Sequence, residues 1–191
     1  FELLDFTGPY EVFSRTRLIK GVKSRLNEDS APFKVFTISE KKQIIKSVGK
    51  LKFYSDYNFK SHPKIDILLI PGGQGTRKII NNENVINWII NISLSANLVC
   101  SVCTGALLLG KAKLLENRNA TTHWGAYKLL RSISKNIKVI ENERYVYDEI
   151  FTSAGVSAGI DMSLEIVKKY YGENIANDTA KYIEWNKNNR S

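Results

Sequence analysis

The 191-residue chain is poor in the residues that most often announce chemistry or a covalent scaffold: two cysteines, two histidines, one methionine and four prolines. Two cysteines cannot supply the disulfide framework of a small secreted domain, and His62 and His123 lack the spacing of zinc ligands. No apolar run approaches the ~20 residues needed to cross a bilayer. The opening FELLDFTGPY has neither the basic start nor the continuous apolar stretch of a secretory signal. The chain is therefore expected to be cytoplasmic, with no membrane partner. Acidic residues are the other shortage, since 19 Asp and Glu against 28 Lys and Arg leave a formal charge of +9. That excess is scattered. Its densest pieces, EKKQIIK, KKYYGENIAND and NKNNRS, read as solvated helix faces and a frayed tail. No motif with a nucleic-acid-binding mechanism accompanies them, so nucleic acid is not an expected partner.

What the chain does have is apolar sequence in short, punctuated pieces. Its length suits one domain with a single sizeable core. FTGPYEVF predicts a helix start, with Thr7 or Gly8 as cap, Pro9 at the first helical position and Glu11 in the first turn. FKVFTIS (33–39) and IDILLIPGG (65–73) read as strands, the second apolar on both faces as a buried parallel strand should be. Residues 85–93 have a helical period, NLVCSVCTG is another two-faced apolar strand, and GALLLGKAKLL reads as the helix that follows. Residues 137–153 predict two strands around a polar turn at Glu141 to Glu143. AGVSAGIDMSLEIVKKYYG then predicts a small-residue turn into an amphipathic helix ending near Gly172, with Asp161 in its first turn. Alternating strands and helices imply an α/β fold with a mostly parallel sheet covered on both faces.

In such sheets the reactive crevice lies beyond the carboxyl ends of the strands. Three glycine-rich strand ends compete for it: LIPGGQG, SVCTGA and SAGVSAG. Cys103 falls on the sharp strand-to-helix turn, where helix N–H groups favour a thiolate and draw the pKa below its free value of about 8.5. Cys100 lies three residues earlier in a strand. At ~3.3 Å per residue the two Cα atoms are roughly 10 Å apart, too far for a disulfide. Cys100 is therefore read as a small buried hydrophobe, and no metal site is expected. His123 reads as a hydrogen-bonded structural residue and Trp124 as core.

LDFTGPYEVF, LLIPGG, SVCTGALLLGKAKLL, ATTHWGAY and TSAGVSAGID together resemble the ThiJ/PfpI superfamily, the class I glutamine amidotransferase-like proteins. The resemblance covers nearly the whole chain. It implies a flavodoxin-like three-layer sandwich with a mostly parallel central sheet, a nucleophile-elbow cysteine at Cys103, and a homodimer. Asp5 in LDFTGP and Cys103-Thr104 in SVCTG are most similar to the isocyanide hydratase branch. The protease-like branch has a histidine directly after the nucleophile, where this chain has Thr104. The same motifs occur in sensor domains of transcription regulators.

The resemblance places the Asp5 carboxylate beside the Cys103 sulfur, so the two should share a proton as a coupled pair. The backbone N–H groups of Gly73 and Thr104, with Gly72 and Gly105 beside them, are expected to form an anion-stabilising pocket. Taken from the residues alone, Asp5 serves equally well as a helix cap and Thr104 as a cap whose hydroxyl never meets substrate. Hydration of an isocyanide to an N-substituted formamide is the leading expectation, with no cofactor required. An amidase, deglycase or protease-like hydrolase, or a non-enzymatic redox sensor in which Cys103 is oxidised, are the alternatives. Family members carry an apolar strand just before the Asp motif, so about ten residues are expected to precede Phe1, enough for a strand of ~5–6 residues and a short lead.

Overall fold

A computed structural model describes residues 1–41 and 43–186; the rest of the NKNNRS tail, 187–191, lies outside the described residues. In chain order the elements are α1 (Leu3–Arg15), β1 (Ile38–Ser39), β2 (Ile44–Lys46), β3 (Lys52–Tyr54), β4 (Tyr57–Asn58), β5 (Ile67–Ile70), α2 (Thr76–Ile79), α3 (Glu83–Ser93), β6 (Leu98–Val102) and α4 (Gly105–Lys111). There follow β7 (Asn119–Ala120), α5 (Tyr127–Ile133), β8 (Lys138–Val139), β9 (Tyr145–Asp148), β10 (Ile150–Ser153), α6 (Ala158–Tyr171) and α7 (Glu173–Tyr182).

The central sheet runs β5-β6-β10-β9, with the first three strands parallel and β9 antiparallel to β10. Strand β6 is buried at every position, as expected for an all-apolar parallel strand covered on both faces. The period-2 alternation of strand side chains divides the core in two. Leu68, Ile70 and Val99 pack with Val85 and Ile89 of α3 and with Leu107 to Leu109 of α4. Ile67, Leu69, Cys100 and Val102 pack with Val12 and Phe13 of α1 and with Met162 and Leu164 of α6. Helix, sheet and helix therefore form three layers, and the expected mostly parallel α/β architecture is what the chain adopts.

Helix α4 can begin directly at the end of β6 because of Gly105. A Cβ at that position would run into the carbonyl of Ile70 on β5. The helix is apolar nearly all round, buried from Gly105 to Gly110.

Several boundaries differ from the sequence reading. Helix α1 starts at Leu3, so Pro9 lies inside it rather than at its first position. An internal proline forfeits one hydrogen bond to the carbonyl four residues earlier. Here that loss accompanies tight packing on α6, where a Cβ at Gly159 would be 3.3 Å from Pro9 Cγ. Within EKKQIIK, residue 42 lies outside the described residues and the end is not a helix face: Ile44–Lys46 pairs with Lys52–Tyr54 as a hairpin around Ser47 to Lys50. The extended stretch 33–39 has ladder partners only at Ile38 and Ser39, which pair with Tyr57 and Asn58. Between 137 and 153 there are three strands, with the tight turn at Glu149 (φ 60°) between β9 and β10. Glutamate carries no turn signal there, which hides the hairpin in the sequence. Helix α6 does end at Gly172 (φ 83°), but α7 follows at once and buries Ala176, Thr179 and Ala180.

Gly105→Ala should destabilise the protein by about 1–3 kcal/mol, the usual cost of forcing a methyl group into a packed site. Urea unfolding monitored by far-UV circular dichroism checks this, and unchanged stability would contradict the close approach of α4 to β5.

Candidate active site

Three strand ends and one helix converge at a single point. After β6 the chain turns so sharply that Cys103 takes a φ of 58°, a left-handed conformation that costs a non-glycine residue of order 1–3 kcal/mol. Its main chain is pinned on both sides. The Cys103 N–H is shared between the carbonyls of Ser153 (3.1 Å) and Ala154 (3.2 Å) at the end of β10. The Cys103 carbonyl accepts from Thr122 Oγ1 at 2.7 Å. The thiol, only 5% exposed, stands between Asp5 and Thr104.

Asp5 lies in the first turn of α1, and its side chain is fully buried. Its Oδ2 accepts from the Gly72 N–H at 3.1 Å. The carboxylate also faces the Cys103 thiol and the Val156 N–H. Gly72 has no room for a side chain, since a Cβ would sit 2.5 Å from Thr104 N and 2.9 Å from Asp5 Oδ2. Gly73 (φ 109°) can hold its conformation only as glycine, and a Cβ there would collide with the backbone of Phe1 and Glu2.

Burial pushes the Asp5 carboxyl up to about 6, outweighing hydrogen bonds from Cys103, Gly72 and Val156 that favour the anion. Burial first, and the Asp5 charge second, push the Cys103 thiol up to about 11 against hydrogen bonds from Thr104. The expected lowering of the cysteine pKa is thus reversed. A seven-residue helix offers a modest dipole, whereas desolvation and a buried like charge both oppose a second anion. At neutral pH the pair therefore holds one proton, on sulfur, beside an ionised carboxylate.

The expected anion pocket is divided among internal partners. Thr104 is the N-cap of α4, and its N–H and hydroxyl both address the thiol. The same hydroxyl accepts from the Gly73 N–H at 2.9 Å and lies 2.9 Å from Thr76 Oγ1. Gly72 serves Asp5, Gly73 serves Thr104, and Gly105 packs against β5. A ligand oxygen reaches the Gly73 N–H only by displacing the threonine hydroxyl. Cys100 is fully buried in β6, with its sulfur 3.5 Å from the Leu68 carbonyl. Both cysteines are free.

His123 accepts from the Gly125 N–H through Nδ1 at 3.1 Å. With Trp124, Tyr127, Arg144, Ala154 and Val156 it lines a cavity of about 400 Å³. Neither Cys103 nor Asp5 lines it, but Ala154 and Val156, whose main chains bond to them, do. Trp124 is not core: it is 76% exposed, because it leads a short 3-10 turn at the cavity rim instead of a strand. Asp161 lies in the first turn of α6, as expected, paired with Arg144 and accepting from Trp185 Nε1. Sequence reasoning missed Thr76, Thr122 and Val156. Only the last had a signal, its place in the glycine-rich SAGVSAG, and a β-branched residue at φ 53° is not readable from residue type. Among the described residues no group of three or more His, Cys, Asp or Glu could hold a metal ion, and no helix is long and apolar enough to cross a membrane.

Comparison with known proteins gives a consistent picture. The model of the DJ-1/PfpI family matches residues 1–169. The isonitrile hydratase of Pseudomonas putida is 32% identical over 183 residues, covering 95% of this chain and 71% of that protein. Among solved structures, a ThiJ/PfpI family protein from Pseudomonas syringae superposes with a TM-score of 0.83 at 24% identity, over 100% of this chain and 73% of the other. Schizosaccharomyces pombe DJ-1 gives 0.74 at 17% identity, over 95% and 93%. Both share the flavodoxin-like α/β sandwich described above.

An exposed aspartate titrates near 3.8, and Asp5 in the folded protein near 6. Between those values the folded state binds the extra proton, so the Asp5 contribution to stability falls as pH rises through the window. Asp5→Asn should flatten that part of the stability curve, as measured by urea unfolding at pH 4, 5, 6 and 7. Removing the carboxylate charge should also lower the Cys103 pKa and speed its alkylation by iodoacetamide at pH 8. A slower reaction would contradict the shared proton.

Proposed function

The chain belongs to the DJ-1/PfpI family, and from that premise we propose that it is a cysteine-dependent enzyme that hydrates a small isocyanide to an N-substituted formamide. One observation carries the reading: the buried carboxyl of Asp5 faces the buried thiol of Cys103, close enough to exchange its proton. An isocyanide carbon must gain both a nucleophile and a proton, and this pair supplies both. The similarity to the Pseudomonas putida isonitrile hydratase and Thr104 directly after the cysteine support the same chemistry.

In the proposed sequence the thiol proton moves to Asp5 as sulfur bonds to the terminal carbon, and Asp5 delivers a proton to that carbon. The product is a thioimidate, R–N=CH–S–Cys103. Asp5, again a carboxylate, takes a proton from an attacking water and passes it to the nitrogen, and the C–S bond then breaks as the proton left on the added hydroxyl moves through Asp5 to sulfur. R–NH–CHO leaves and the thiol is restored, so the net change is addition of one water. A neutral substrate suits this site, because sulfur need not become a free thiolate at any stage. Thr104, with its N–H and hydroxyl directed at sulfur, stabilises negative charge that develops there. The substituent R is assigned to the cavity beside Val156, Tyr127 and Trp124, whose Val156 lining also bonds Asp5.

Aryl isocyanide should be converted to formamide, followed by absorbance and confirmed by mass spectrometry. Cys103→Ala should abolish turnover. Asp5→Asn should lower it by about 10²–10⁴, the usual contribution of a positioned acid–base group, while leaving the sulfur more nucleophilic. Cys100→Ser should stay within a few-fold, roughly, since that side chain only packs. Turnover that survives Cys103→Ala, or robust hydrolysis of amides, peptides or glycated substrates with no formamide, would replace this reading with a hydrolase.

A further inference from the structure

Thr121, Thr122 and His123 follow one another in the chain, each touches a different part of the site, and the proposed reaction uses none of them. The Thr121 N–H donates to Thr152 Oγ1 on β10 at 2.9 Å. Thr122 Oγ1 donates to the Cys103 carbonyl at 2.7 Å. With the main chain anchored in this way, the His123 imidazole is wedged between two glycines. On one edge Nδ1 accepts from the Gly125 N–H at 3.1 Å, and a Cβ at Gly125 would be 3.3 Å from that nitrogen. On the opposite edge a Cβ at Gly155 would fall 2.3 Å from Cδ2. The first approach is tight, and the second leaves no space at all for a side chain.

Gly155 is the middle residue of the loop that holds the reactive pair. Before it, the Ala154 carbonyl shares the Cys103 N–H at 3.2 Å. After it, the Val156 N–H faces the Asp5 carboxylate and favours its anion. Val156 takes a φ of 53° there, and a β-branched residue keeps such a conformation only where its surroundings over-determine it. The loop therefore needs a stiff support. The imidazole is one, since it cannot tilt away from Gly155 without giving up its hydrogen bond from Gly125.

We propose that His123 is a positioning residue for the cysteine–aspartate pair: its wedged imidazole is the buttress for Gly155, and so sets where Ala154 meets Cys103 and Val156 meets Asp5. The ring transfers no proton in this role. The titratable side chains acting on Asp5 are Cys103 and Glu2, so His123 reaches Asp5 through the backbone of the loop and not through charge. What the buttress does for turnover rests on the isocyanide reading; what it does for the shared proton does not.

The test is the pH profile of Cys103 alkylation by iodoacetamide, followed by peptide mass spectrometry so that Cys100 is read separately. Its lower inflection reports protonation of the pair at the Asp5 carboxyl, near 6 in the folded protein. His123→Ala removes the buttress and lets Val156 drift from Asp5. The inflection should then rise by about one pH unit, the shift expected when one hydrogen bond to a charged group is weakened. His123→Asn should keep the wild-type inflection, because its Oδ1 and Nδ2 replace Nδ1 and Cδ2 at the two edges. Gly155→Ala should raise the inflection as well, since its methyl group and the ring cannot share one space. Combining it with His123→Ala should bring the inflection most of the way back, the non-additivity of residues in contact. An inflection unmoved in His123→Ala would overturn the proposal. So would equal shifts in His123→Ala and His123→Asn, which would make the imidazole a proton carrier, or additive shifts in the double variant. If His123→Ala does not fold, Gly155→Ala decides, and an unmoved inflection there overturns the proposal. No isocyanide enters the measurement, so the buttress and the isocyanide reading stand or fail separately.

Discussion

A carboxylate without any contact with water has to be held by something, and around Asp5 the holding groups come from three separate strand ends. Gly72 gives an N–H from the end of β5, Val156 one from the end of β10, and Cys103 a thiol from the end of β6. Burying a charge is costly unless each lone pair finds a donor, and Oδ1 of Asp5 has no partner at hydrogen-bond distance among the described residues, which accords with its raised carboxyl. The strand ends can reach the carboxylate only if they crowd together, which explains why Gly72 has no space for a Cβ. The site is a packing solution to an electrostatic demand.

That crowding is recorded in the backbone. Cys103 and Val156 both take positive φ without being glycine, and such conformations persist only where surrounding bonds over-determine them. For Cys103 those bonds are visible in the two carbonyls that share its N–H and in the Thr122 hydroxyl on its own carbonyl. The strain fixes the direction of the sulfur. A relaxed turn would return Cys103 to the strand alternation and direct its side chain into a helix layer, as at Cys100.

Proton placement follows from the same burial. In an open, electropositive setting, a cysteine at a helix start is a thiolate. Here desolvation raises both groups, and the Asp5 charge raises the thiol further. Of the two possible anions the carboxylate is much the cheaper, so sulfur keeps the proton. In the proposed reaction the resting thiol becomes nucleophilic only as its proton departs toward Asp5. The threonine after the cysteine fits this division of labour, since its hydroxyl bonds to Gly73 and lies close to Thr76 while remaining in reach of sulfur.

Much of the fold was legible in the sequence because strand and helix periods are local properties. The two-faced apolar runs at 65–70 and 98–102 specify buried parallel strands, and the Gly-rich segments after them mark the crevice. Cys103 was readable from its place between a strand and a helix, and the separation of Cys100 from it follows from strand rise alone. Asp5 as partner, the donors Thr76, Thr122 and Val156, and the true start of α1 were not readable from local pattern. Each depends on groups far apart in the chain, such as Asp5 and Gly72, 67 residues away. Whether an N–H such as that of Gly73 is free for a ligand or taken by Thr104 is settled by packing, as is whether a cysteine at a helix start ionises. Periodicity sets where elements form. Only their mutual burial sets the charges, and therefore the chemistry, at the point where they meet.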